Sequence, residues 1–115
     1  MTTDTGLIQV SGLAKKPIDA AAEFHARFVP RIRSLMTRDV MLLFPQADHT
    51  HSAWRLAAVQ ELAREAAPRR VNALAGGSEP AIREAAAYLR MTPGVTGQVL
   101  VLDGAGMENG AQGAI

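Results

Sequence analysis

The chain has 115 residues, a formal net charge of +1 and no cysteine. Such a length serves one domain with a single core. The near-neutral balance gives no global field for nucleic acid or an anionic membrane, and the missing thiols exclude disulfides, thiol nucleophiles and cysteine-ligated metals.

In chain order, "GLIQVSG" (6–12) is a short apolar run ended by glycine and predicts a strand. "PIDAAAEFHARFVPRIRSLM" (17–36) has apolar residues near helical spacing, with Pro17 in the first turn and Pro30 placed to kink or divide the helix. "DVMLLFP" (39–45) is the continuous run of a strand covered on both faces. "HSAWRLAAVQELAREAA" (51–67) predicts a helix whose stripe is Ala53, Leu56, Ala57, Val59, Leu62, Ala63 and Ala66, with Arg55 outside it; Pro68 ends it. "RRVNALAGG" (69–77) is a buried strand entering a glycine turn, and Ser78 is placed to cap the helix "EPAIREAAAYLRM" (79–91). "QVLVLDG" (98–104) is the last strand, and residues 107–115 form a glycine-rich tail expected to be loose. Strands alternating with helices predict one α/β domain over 1–106, a parallel sheet of about four strands flanked by helices in three layers.

Within that pattern, "RRVNALAGG" resembles the "RVNAIAPG" strand and turn of the short-chain dehydrogenases/reductases, and "VTGQVLVLDGAG" (95–106) resembles their final strand and exit. "LAREAAPRRVN" is similar to the helix end and loop before the first of these, and "DVMLLFPQ" and "GLIQVSGLAKKP" occupy the places of the fifth and fourth strands. The resemblance spans about residues 6–106 and implies a truncated Rossmann-like fold, corresponding to the second half of a reductase. In such a fold the dinucleotide diphosphate rests on a glycine-rich turn after the first strand, and no G-x-x-x-G-x-G run precedes a helix here, so no NAD(P) is expected unless a partner supplies that half.

The resemblance also implies a Tyr-x-x-x-Lys pair on the helix at 51–67. One alignment sets His51 and Arg55 in those places and another sets Asp48 and Ser52; neither restores the pair. Tyr88 lies on a later helix, and Lys15 and Lys16 lie near the start. The "NNAG" asparagines are absent from "QVSG", and Gly76 replaces the proline of the "PG" turn.

Several constellations remain as candidates. His51 and Arg55, one helical turn apart, are the catalytic candidates and would share an acidic ligand; the alternative is a solvated helix start. His49 and His51 in "DHTH" are metal candidates if the segment is extended, whereas a turn would make Asp48 or Thr50 a helix cap. Asn72, Gly76 and Gly77 are candidates for contact with a cofactor, although Glu79 puts a negative charge at that mouth. Arg27, Arg31, Arg33 and Arg38 read as a solvated face or ion-pair partners. Trp54 is expected at an interface, together with Phe24, Phe28, Val59 and Leu62 on the helices that the resemblance assigns to subunit contact.

Residues 1–5 lack the basic and apolar regions of a leader, and no run is long enough to span a bilayer, so a soluble cytoplasmic protein with no membrane partner is expected. The function expected is a catalytically inactive reductase-like subunit, a homo-oligomer or a companion of a full-length reductase. The alternatives are an NAD(P)-dependent oxidoreductase with a reorganised site and a small ligand- or metal-binding α/β domain.

Overall fold

A computed structural model describes residues 5–102. Four strands, β1 (Gly6–Gln9), β2 (Val40–Phe44), β3 (Val71–Ala75) and β4 (Val99–Val101), form one sheet in the order β1-β2-β3-β4 with every pairing parallel. The helices are α1 (Pro17–Arg27), α2 (Val29–Ser34), α3 (Ser52–Ala66) and α4 (Glu79–Arg90), and a single 3-10 turn at His49–His51 leads into α3.

The apolar runs of β2 and β3 reflect cover on both faces. Ile8, Val40, Leu42, Phe44, Val71 and Ala73 belong to a core shared with α1, α2 and α3. Met41 and Leu74, one register step away, pack with Ala81, Ala85 and Leu89 of α4 on the other face. The expected three-layer, Rossmann-like α/β architecture is therefore present. Consecutive strands are neighbours and the sheet grows in one direction, so connections on opposite faces have opposite hands. Parallel crossovers are right-handed in about 98% of cases, which makes the one through α4 the exception. That same face carries a trough of about 540 Å³ between β1 and α4, lined by Leu7, Leu43 and Ile82.

Local chemistry sets the helix ends. Pro30 has no N–H to bond back into α1, and the predicted long helix is divided at Phe28, whose own N–H still reaches the Phe24 carbonyl at 2.8 Å. Ser78 caps α4, its Oγ accepting from the Ala81 N–H at 3.2 Å. The predicted strand at 6–12 is paired only over Gly6–Gln9, and the last strand only over Val99–Val101. Residues 103–104 of that predicted strand and the tail at 107–115 lie outside the described residues.

The return from α4 to β4 is stitched to the start of β3. Arg70 Nη1 donates to the carbonyls of Leu89 and Thr92, each at 2.9 Å, while its Nε meets Asp39 Oδ2 at 3.0 Å. Two of these acceptors close the carboxyl end of α4, where a cation is favoured. Asn72 Nδ2 donates to the Val95 carbonyl and its Oδ1 accepts from the Gln98 N–H, both at 3.0 Å. The Val71 N–H donates to Thr96 Oγ1 at 3.0 Å. Among the described residues no helix is long and apolar enough to cross a membrane.

Candidate functional site

The carboxyl ends of β2, β3 and β4 open on a cavity of about 380 Å³, bounded by Asp48, His51, Arg55, Leu56, Val101 and Leu102. Open α/β sheets place ligands at this end of their strands. A second cavity of about 340 Å³ lies on the loop after β1, and Arg55 and His51 line both.

Asp48 begins the approach to α3. Its Oδ1 accepts from the Thr50 backbone N–H at 2.9 Å and from the Thr50 hydroxyl. These bonds, the hydroxyl's first, hold the Asp48 carboxyl below the usual carboxylate range. The turn reading of "DHTH" is therefore the observed one. His49 is exposed while His51 is buried, so the two rings do not converge, and no group of three metal-ligating side chains occurs among the described residues.

His51 has both ring nitrogens engaged. The Trp54 indole can only donate, so His51 Nδ1 accepts from Trp54 Nε1 at 2.9 Å. Nε2 then carries the proton of the neutral ring and donates to the Lys15 carbonyl at 3.0 Å.

Arg55 overturns its sequence assignment. Expected outside the apolar stripe, it is 7% exposed, whereas Ala53, Leu56 and Ala57, expected inside, are exposed. The buried stripe is Arg55, Ala58, Val59, Leu62, Ala63 and Ala66. Its guanidinium lies 4.5 Å from the Phe44 ring centroid, and Nη1 donates to the Pro45 carbonyl at 3.0 Å. Among the described residues that is its one hydrogen bond, Nε has no partner, and no carboxylate pairs with it. Burial pushes the guanidinium below its ordinary pKa. A desolvated cation–π contact offsets about 2 kcal/mol, against several for removing an ion from water.

The remaining candidates resolve structurally. Asn72 is buried and spends both ends of its amide on the loop before β4. Gly76 and Gly77 have φ of +77° and +93°, and a Cβ at Gly77 would lie 2.8 Å from the Leu102 Cβ. Leu102 thus packs directly against the turn at Gly77.

Phe24, Phe28, Val59 and Leu62, expected at an interface, are buried in the chain's own core and have no surface to offer a partner. Their helices lie over the sheet, which takes their apolar side chains. Trp54 is half-buried against Phe24 and Phe44, at ring distances of 5.4 and 5.7 Å. Among the arginines, Arg33 grips Glu65 through Nε at 2.7 Å and Nη2 at 3.0 Å, and Arg27 reaches the Gly12 carbonyl at 3.1 Å. The burial of Arg55 and the Arg70 clamp were both missed from sequence. For Arg70 the one available signal was its place immediately before the "VNALA" strand.

This arrangement, a parallel sheet whose strand ends open on the start of α3, has a counterpart among known families. A family model described as short chain dehydrogenase-like protein matches residues 8–102. The chain belongs to that short-chain dehydrogenase-like family. No curated protein and no solved structure matches it.

Proposed function

We propose that this chain is a catalytically silent member of its family that acts by assembly, with a second copy or with a full-length reductase. The observation that carries the proposal is the state of His51. In the alignment that gives it the family's tyrosine place, the residue should exchange a proton with a bound carbonyl. Here one ring nitrogen is committed to Trp54 and the other to the Lys15 carbonyl. Arg55, in the lysine place, is turned onto the Pro45 carbonyl and the Phe44 ring.

Support for assembly comes from β1. It lies at one end of the strand order, so its outer backbone groups have no neighbour strand among the described residues, and Leu7 beside them is 61% exposed. Edges of this kind are managed by pairing or cover. We place the contact there, in place of the buried Phe24 and Phe28. No dinucleotide is expected to bind the chain by itself.

Size-exclusion chromatography with light scattering tests the proposal. The wild type is expected to be oligomeric or to bind a reductase, and Leu7→Glu is expected to weaken that contact. A monomer at every concentration that captures no reductase would overturn it. Saturable NADPH fluorescence changes at micromolar concentration would instead establish the alternative, an oxidoreductase with a rearranged site.

A further inference from the structure

We infer that the cavity at the carboxyl end of the sheet is a binding site for a small monocarboxylate with an apolar body, its carboxylate taken by Arg55. The inference rests on an imbalance within the fold. Arg55 is more than nine-tenths buried and lines the cavity of about 380 Å³, yet among the described residues it meets one carbonyl, two aromatic rings and no anion. Its Nε–H has no acceptor and no open surface, so it reports on the guanidinium rather than meeting a ligand itself. A guanidinium presents parallel N–H groups that match the two oxygens of a carboxylate, and such charge-assisted pairs are the strong ones.

The rest of the lining selects the kind of anion. Leu56, Ala75, Val99, Val101 and Leu102 supply apolar wall, and Leu56 and Val101 are exposed enough to leave an entrance. Asp48 stands at the same cavity and is held ionised by Thr50. A fixed negative charge there opposes a phosphate dianion more strongly than a monoanion. A volume of a few hundred cubic ångströms suits a small molecule. The site makes no use of a proton on His51, so it is compatible with a silent dyad and stands apart from the assembly proposal.

Nitrogen-15 NMR of the full chain, following the Nε–H resonance of Arg55 and assigning it by its absence in Arg55→Met, tests the inference with three probes: hexanoate, hexanamide and inorganic phosphate. Hexanoate is expected to move that resonance saturably and to raise Tm, with hexanamide and phosphate at least tenfold weaker. Arg55→Met is expected to lose hexanoate binding at least tenfold. If that variant fails to fold, the resonance is assigned by triple-resonance methods and the three probes decide on the wild type alone. Equal binding of hexanamide would overturn the proposal by reducing the site to an apolar hole. Equal binding of phosphate would overturn the choice of a monocarboxylate, and no saturable shift by about 10 mM of any probe would overturn the site itself.

Discussion

Two arginines, at opposite ends of the sheet, show what this fold does with buried charge. At the amino end of β3, Arg70 meets Asp39 and the carbonyls that end α4, so its cation is matched within the chain. At the carboxyl end of β2, Arg55 is more deeply buried, with one carbonyl and no anion. The first arrangement serves connectivity, tying an exceptional crossover to the strand it left. The second leaves charge in hand beside an open cavity. Burial alone therefore separates neither role; the inventory of partners does.

The largest break in that contrast is expected from Arg70→Ala. It takes the cation from the Asp39 carboxylate, which keeps only the backbone N–H of residue 70, and one donor from each of the Leu89 and Thr92 carbonyls; removing one partner of a largely buried pair costs about 3 kcal/mol. Urea unfolding should show the loss, and Arg70→Lys should recover only part of it, because an ammonium lacks the planar fork. Arg55→Met should move the other way: an unmatched buried charge replaced by an apolar chain is expected to leave stability unchanged or to raise it by about 1 kcal/mol. A loss as large as that of Arg70→Ala would show that Arg55, too, is chiefly structural.

The smallest effect is expected from pH. Hydrogen bonds from Arg33 and Thr50 hold the Glu65 and Asp48 carboxyls below their ordinary values. Their contribution is complete above the unfolded carboxylate pKa of about 4 and is lost as pH falls through the folded values. The urea midpoint should drop slightly in that acid range, and Glu65→Gln should diminish the drop. Both groups are solvent-exposed and screened, which keeps the effect modest.

The order of elements was legible because strand and helix periods differ and because proline and glycine punctuate them. Pro30 announced the break between α1 and α2, and Ser78 announced the cap of α4. The facing of α3 was not legible. With alanine on several sides of that helix, the apolar pattern barely distinguishes one face from another, and placing the only arginine of "SAWRLAA" outside was the natural default. The structure turns Arg55 inward because Phe44 and the Pro45 carbonyl receive it, the last residue of β2 and the one after it, whose position relative to α3 no local pattern encodes. The aromatic residues of α1 were legible as apolar but not as core, since a helix over a sheet and a helix at a subunit contact carry the same stripe. The glycines at 76 and 77 were visible, while the leucine that occupies their hollow arrives from 25 residues further on.

The hand of the α4 crossover decides which parts of the sheet have a roof. A connection of the usual hand would have laid α4 beside α3 and left the entire far face wet. Passing over that face once, α4 shelters β3 and stops short of β1, so the slab is two-sided at one end and one-sided at the other. A chain that merely adds a strand alongside β1 would extend the sheet and leave Leu7 and Leu43 under water. Under the assembly proposal, a well-matched partner would bring both a strand and the lid that goes over it.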